Sequence, residues 1–374
     1  MSRIGAVIPA AGLSSRMQRF KPLLPLGRGT VLSECVDTFL GNGVDRIVVV
    51  TGKRADEVAA AALAAGAEAV HNAHFAEGMF SSILTGVKAL GNVEAFFVLP
   101  VDIPLVRRET VARVLETYDA RRPAVLYPRF LGERGHPPLI GREAIPSILA
   151  HDGEGGLRAV LDTFESEAAE LDVADFGTVH DLDFPDDYEV ACGYARRAFP
   201  CPEEVAQLFL QHSVSPEVIA HSRAVATVAV ALMERVNSAP TATGRLDGAL
   251  VESAALVHDI AKGEKAHGRV GAERLASHGF HVAAEVVRDH CDLQLGPGAP
   301  LSEREIVFLA DKLVAGDQYI PLRTRFEEKL ARFGDKPDAR TNILARLDRA
   351  EVVLQRFNKE SGVSAESIAR EVLG

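Results

Sequence analysis

Two groups of residues in this 374-residue chain carry side chains that could do chemistry. The first follows the apolar run Ile4–Pro9: Ala10-Ala-Gly-Leu-Ser-Ser-Arg16, then Lys21-Pro-Leu-Leu-Pro25. Small residues let backbone N–H groups approach phosphate oxygens, Arg16 can grip phosphate with two parallel N–H bonds, and Lys21 supplies a point charge. A tight turn carrying two solvated cations has the same spelling. The turn's only glycine is Gly12 and no Gly-Lys-Ser/Thr follows, so it is neither a Walker A loop nor a dinucleotide fingerprint. A second apolar run, Ala95–Leu99, ends in Pro100-Val-Asp102-Ile-Pro104, which places a carboxylate at a strand tip where it could hold Mg²⁺. The other group lies between residues 221 and 311 and comprises His221, His258-Asp259, His290 and Asp311 at positions read as helical. Such a mixed nitrogen and oxygen set suits Fe, Mn, Zn or Mg rather than a thiolate site. The adjacent pair His258-Asp259, ending an otherwise apolar helical stretch, is hard to explain as packing, since an Asp is rarely buried without a partner or a metal.

The elements that must position these residues differ between the two halves. From residue 4 to about 190, the runs Ile4–Pro9, Ile47–Thr51, Ala95–Leu99 and Ala124–Tyr127 alternate with helical patterns, which predicts an α/β domain with a mostly parallel sheet. Ligands of such sheets bind at the carboxyl ends of the strands, where Gly12 and Asp102 fall. From about 203 onward apolar residues recur at three and four, which predicts an all-α domain, with loops at Asn237–Arg245 and Leu295–Pro300. A helix around Tyr188–Arg197 is stopped by Phe199-Pro-Cys-Pro-Glu203, giving domains 1–198 and 204–374 with a connector at 199–203.

Composition narrows the function classes. With 47% hydrophobic and 25% charged residues the chain reads as an ordinary folded protein. A formal charge of −11 with no basic block argues against nucleic-acid partners, though not against nucleotides. Four cysteines without a C-x-x-C pair, and no signal-peptide pattern, lead to the expectation of a reducing, cytoplasmic setting. No run approaches 18 consecutive apolar residues, so no membrane span is expected.

The motifs also carry a family resemblance. Ala10-Ala-Gly-Leu-Ser-Ser-Arg-Met-x-x-x-Lys21, Pro-Val-Asp102-x-Pro, Gly135-His-Pro137 and Asp181-Leu-Asp-Phe-Pro-Asp-Asp-Tyr188 resemble the molybdenum cofactor nucleotidyltransferases, most closely the cytidylyltransferase branch, over about residues 3–190. The resemblance implies a Rossmann-like domain that moves a nucleoside monophosphate from an NTP to the phosphate of molybdopterin and releases pyrophosphate. The Ala-Ala-Gly opening favours CTP. By motif, Ala10, Ala11, Gly12, Ser14, Arg16 and Lys21 would cradle the triphosphate, and Asp102 and Asp183 would hold Mg²⁺. Asn72, Gly78, Ser81 and Ser82 would face base and ribose, and His136 the pterin. Gln18 stands where the family usually has Gly after Arg-Met.

In the second half, His221, His258, Asp259 and Asp311 resemble the four-ligand pattern of the HD superfamily of metal-dependent phosphohydrolases, over about residues 216–330. Ala255-Leu-Val-His-Asp-Ile-Ala-Lys262, His267-Gly-x-Val-Gly-Ala272 and His290 resemble its subset with extra histidines. That resemblance implies a transition metal (Fe, Mn or Zn), further metal or substrate contacts at His267 and His290, and a phosphate contact at Lys262. The expectation is a bifunctional enzyme. Two other readings stay open: a nucleotidyltransferase for a sugar or alcohol phosphate, and a maturation factor that binds finished cofactor for a molybdenum hydroxylase.

Overall fold

The computed structural model describes residues 3–12, 17, 19–195, 197–239, 244–293 and 300–374. Ser14, Arg16 and Gln18 lie outside the described residues, as do residues 240–243 of the expected loop at 237–245 and residues 295–299 of the one at 295–300. The chain divides into two compact units, Met1–Arg197 and Ala198–Gly374.

The first unit runs β1 (Ile4–Pro9), β2 (Pro25–Leu26), β3 (Gly29–Thr30), α1 (Val31–Asp37), β4 (Arg46–Thr51), α2 (Ala55–Ala64), β5 (Glu68–His71), α3 (Met79–Leu90), β6 (Ala95–Val98), α4 (Arg108–Arg121), β7 (Val125–Phe130), β8 (Glu133–Arg134), β9 (Leu139–Gly141), α5 (Ile145–Ala150), α6 (Gly156–Leu161), β10 (Ala168–Asp172) and α7 (Pro185–Tyr194). The main sheet has the order β10-β7-β9-β6-β1-β4-β5. It is mostly parallel, as expected, and the short β9 pairs antiparallel with both β6 and β7. β1 and β6 are wholly buried and β4 is buried but for Arg46, as strands covered by helices on both faces must be.

α3 presents Ile83, Gly86, Val87 and Leu90 to Val7, Val48 and Val50 of the sheet. Gly86 permits that approach, since a Cβ there would sit 2.4 Å from Val7 Cγ1. On the opposite side Phe39 meets Phe97 with ring centroids 5.4 Å apart. Ser81 and Ser82 belong to the first two turns of α3, whose N-cap is Gly78. Gly78 has φ +104°, a conformation that side-chain-bearing residues avoid, so the chain can swing from the turn at 75–77 into α3 at the sheet edge. The helix expected around 188–197 begins earlier, at Pro185, where proline suits the first helical position and Asp187 accepts from the N–H groups of Asp183 and Phe184 at 3.0 and 2.6 Å.

The second unit contains α8 (Pro202–Gln211), α9 (Pro216–Asn237), α10 (Gly248–Val257), α11 (His267–Ser277), α12 (His281–Arg288), α13 (Glu303–Lys312), the two-residue strands β11 (Val314–Ala315) and β12 (Gln318–Tyr319), then α14 (Leu322–Phe333), α15 (Pro337–Ser361) and α16 (Ala365–Leu373). Residues 199–203, read from sequence as a connector, pack into this unit: Phe199 and Cys201 are buried, Ser253 Oγ donates to the Pro200 carbonyl, and α8 already starts at Pro202. α9 packs against α10, α13 and α16. It is long enough, with a mean hydropathy of 1.2 over 18 residues, to cross a membrane by length and composition, which counting consecutive apolar residues had missed. Nine of its residues, among them Val225, Val228, Ala229 and Leu232, are buried against these neighbours, which accounts for the apolar face without a membrane. Every residue of α13 from Glu305 to Lys312 is buried, so Asp311 and Lys312 lie in the interior.

Candidate active sites

At the carboxyl edge of the first sheet, backbone bonds tie the loops together. Ala10 N–H donates to the Val50 carbonyl and Val101 N–H to the Pro9 carbonyl, so the ends of β1, β4 and β6 are locked side by side. Lys21, 8% exposed, reaches Asp183 Oδ1 at 3.2 Å and Asp102 Oδ2 at 3.9 Å. The loop bearing Asp183 is held there because Leu182 N–H donates to the Asp102 carbonyl at 2.8 Å. Burial pushes the Asp102 carboxyl up from its ordinary value of 3.8; Lys21 pulls it down, and Asp181 and Asp183 add to the rise. Two carboxylates, Asp102 and Asp183, against one ammonium leave net negative charge on an all-oxygen donor set, which fits a hard divalent cation such as Mg²⁺.

A cavity of about 690 Å³ adjoins this cluster, lined by Ala11, Gly12, Lys21, Gly78, Ser82 and Asp102 among others. A Cβ on Gly12 would meet nothing within 4 Å, so packing gives no reason for glycine there, and its backbone borders open space. Ala10 is buried behind the loop. Asn72, 3% exposed, donates to Ser81 Oγ at 2.9 Å and Ser82 Oγ at 3.0 Å and accepts from His74 N–H. The structure thus makes Asn72 a brace for the start of α3, and Ser81, which also donates to the Gly78 carbonyl, part of that brace.

A second cavity, of about 860 Å³, shares Gly78, Met79 and Pro100 with the first and is lined also by Tyr127, Arg134, Gly135, His136 and Arg158. His136 N–H donates to the Thr178 carbonyl at 2.8 Å. The Thr178 turn is anchored by Asp175, which sequence reading overlooked. It is 1% exposed and accepts from Arg107 N–H, Thr110 Oγ1 and Gly177 N–H. Burial lowers the His136 pKa from 6.5, and Asp181 partly opposes the shift. The unfolded chain therefore holds the proton more tightly, so stability from this residue is present above pH 6.5 and declines as pH falls below it toward the folded value. His136→Gln is expected to flatten that acid limb of a plot of urea midpoint against pH; an unchanged slope would refute the assignment.

In the second unit the ligand candidates come from three helices and from the turns that follow two others. His221 sits on α9 and Asp311 on α13, His267 is the first residue of α11, but His258-Asp259 and His290 lie just past the ends of α10 and α12 rather than within helices. Backbone carbonyls hold three of the rings: His258 Nδ1 lies 2.7 Å from the Ala255 carbonyl, His290 Nδ1 2.7 Å from the Val287 carbonyl and His221 Nδ1 2.8 Å from the Gly316 carbonyl. A carbonyl can only accept, so each Nδ1 carries the hydrogen and each Nε2 is left to face the centre. There His221 Nε2 is 3.3 Å from Asp311 Oδ1, His258 Nε2 3.5 Å from Asp259 Oδ2, and His267 and His290 Nε2 are 3.3 and 3.4 Å from Asp259 Oδ1.

His258 Nε2 and Asp259 Oδ1 are buried with no hydrogen-bond partner. Buried imidazole lone pairs aimed at two carboxylates are satisfied by a cation between them, and the donor set fits a transition metal. Asp259 is held well below the usual carboxylate range: burial opposes ionisation, and the facing imidazoles of His258, His267 and His290 outweigh it. Asp311 is held low as well, against burial, by Lys312, Arg325 and His221. Lys262 donates to Asp259 Oδ2 at 2.7 Å with half its side chain exposed. A cavity of about 460 Å³ opens over His221 and Asp259 and is rimmed by Lys262, Arg325, Lys329 and Arg332. The last three cations belong to α14, a helix absent from the sequence reading.

The comparisons bear on both units. Residues 6–170 match the MobA-like NTP transferase domain. A nicotine blue oxidoreductase from Paenarthrobacter nicotinovorans is 31% identical over 188 residues, 48% of this chain and 92% of that protein. The chain belongs to the MobA-like NTP transferase family. A molybdenum cofactor cytidylyltransferase from Escherichia coli (strain K12) is 29% identical over 195 residues, 51% of this chain and 96% of that protein. A solved nucleotidyl transferase from Methanothermobacter thermautotroptrophicus has 25% identity and a TM-score of 0.46, covering 52% of this chain and 97% of that one. Residues 218–316 match the HD domain, so this MobA-like protein is a nucleotidyltransferase-type chain with an HD domain behind it.

Proposed function

We propose that the first unit transfers a nucleoside monophosphate, CMP by preference, from an NTP to the phosphate of a molybdopterin-type cofactor. The observation that carries this reading is the convergence of Lys21, Asp102 and Asp183 beside a cavity that continues into a second, His136-bearing one. Two adjoining cavities suit two substrates, a nucleotide in the first and an acceptor in the second, with Gly78 and Pro100 at their junction. The acceptor phosphate oxygen bonds to the α-phosphorus, the α–β bond breaks, and its electron pair leaves with pyrophosphate. Lys21 offsets charge on the departing group, and the backbone at Ala11 and Gly12 borders the phosphates. Mg²⁺ held by Asp102 and Asp183 would neutralise phosphate charge. The related cytidylyltransferase supports CTP and a molybdenum cofactor as substrates.

The second unit, in the same reading, hydrolyses a phosphate ester. A transition metal held by His221, His258, Asp259 and Asp311 would activate water. Lys262, Arg325, Lys329 and Arg332 rim the cleft that the phosphate would enter. Burial, together with Arg325 and Lys312, lowers Lys329 to about 8, a crowding of cations that a bound anion relieves.

The test is to incubate the full chain and Mg²⁺ with molybdopterin-type cofactor and CTP, GTP or ATP separately, following pyrophosphate and the attached nucleotide. Pyrophosphate with CTP alone is the expected result. Release with another nucleotide overturns the base assignment, and silence with all three overturns the acceptor.

A further inference from the structure

Cys291 follows His290 in the turn after α12 and has no role in the reading above. Its Sγ stands 3.1 Å from His267 Nε2 and 3.3 Å from His290 Nε2, and the ligand atoms of these three residues all lie within 4.8 Å of one another. It forms no disulfide. The same two imidazole nitrogens flank Asp259 Oδ1, the carboxylate oxygen that is 1% exposed at its side chain and lacks a hydrogen-bond partner. The turn is held by Lys312, which reaches from α13 to donate to the His290 carbonyl at 2.9 Å and to Asp311 Oδ2 at 2.5 Å. One buried lysine therefore ties the backbone at His290-Cys291 to the carboxylate on the other side of the cluster.

The donors divide by chemistry. Around Asp259 Oδ2 and Asp311 lie His221 and His258, a set of nitrogen and oxygen atoms only. Around Asp259 Oδ1 lie His267, His290 and a sulfur. We propose that Cys291 is a thiolate ligand of a second metal subsite formed with His267, His290 and Asp259, so that the centre is asymmetric. One position is nitrogen and oxygen only; the other, with two nitrogens, one oxygen and one sulfur, selects Zn²⁺, Fe²⁺ or Co²⁺ over Mg²⁺ and Mn²⁺. Asp259 bridges the two through its separate oxygens.

This inference rests on the second unit being a metal site, and the experiment separates the two claims. Metal-free full-length protein is titrated with Co²⁺ under anaerobic, reducing conditions. The expected result is two equivalents bound, the visible bands of cobalt in a protein site, and a near-ultraviolet thiolate-to-cobalt charge-transfer band. Cys291→Ser should lose that band while keeping the visible bands, and its Zn²⁺ affinity at one site should fall by about tenfold or more. Cys291→Asp, which returns a charged ligand, should bind two equivalents without the charge-transfer band. Visible bands without charge transfer in the unaltered protein, or charge transfer that survives in Cys291→Ser, overturns the thiolate assignment alone. No cobalt bound by the unaltered protein overturns the metal reading as well.

Discussion

Asp102→Ala is expected to lower the rate of pyrophosphate release by on the order of 10³-fold at saturating NTP and Mg²⁺. The carboxylate is 27% exposed at its side chain, at the end of β6 where the apolar strand delivers it to the cavity. Among the described residues its side chain pairs with Lys21, which keeps its closer partner Asp183, and the backbone carbonyl, which alanine retains, receives the bond from Leu182. The change should therefore leave the melting temperature nearly unaltered while removing the charge that faces the phosphates. Measuring kcat for pyrophosphate release together with thermal melting tests it. A rate within tenfold of the unaltered protein would sink the catalytic assignment and favour a chain that binds and delivers cofactor without turning it over.

The second large effect is at Asp259. Asp259→Ala is expected to strip metal from the second unit and to take the proposed phosphate-ester hydrolysis below detection, with the proposed nucleotidyl transfer in the first unit unchanged. Both oxygens of this buried carboxylate face imidazoles, and Lys262 adds a further positive group at 2.7 Å. Removing the charge leaves cationic and lone-pair groups facing one another in the interior, a loss of about 3–5 kcal/mol in stability for a broken buried pair. Metal content by elemental analysis, a urea melt and both activities are the measurements. Stoichiometric metal in the variant would refute the ligand role. Lost transfer activity would refute the independence of the two chemistries.

The acidic run Asp181–Asp187 shows how far sequence can go. Its spelling marked Asp183, but a run of carboxylates also describes a solvated loop. The fold sorts them: Asp183 pairs with Lys21 across 162 positions, Asp187 closes the turn into α7, and Asp181 adds negative potential at Asp102. Asn72 and Ser81, expected to face base and ribose, are bonded to one another, because a polar side chain in the interior must find partners and the nearest ones lie at the start of α3.

Sequence alone determined the elements whose burial is uniform along one face or throughout. β1, β4 and β6 announce themselves as apolar runs, α9 and α13 as helical periodicity, and His221, His258, Asp259 and Asp311 as polar residues breaking otherwise apolar stretches. Tertiary structure alone decided the rest. β5 and β10 are partly exposed strands without an apolar run, and the three-residue β9 exists only because β6 and β7 leave a gap between them for it to bridge. Local pattern reports how each residue meets water, whereas β9's place, the meeting of Lys21 with Asp183, and the sulfur of Cys291 beside two imidazoles depend on contacts between distant segments, whose partners no local period encodes.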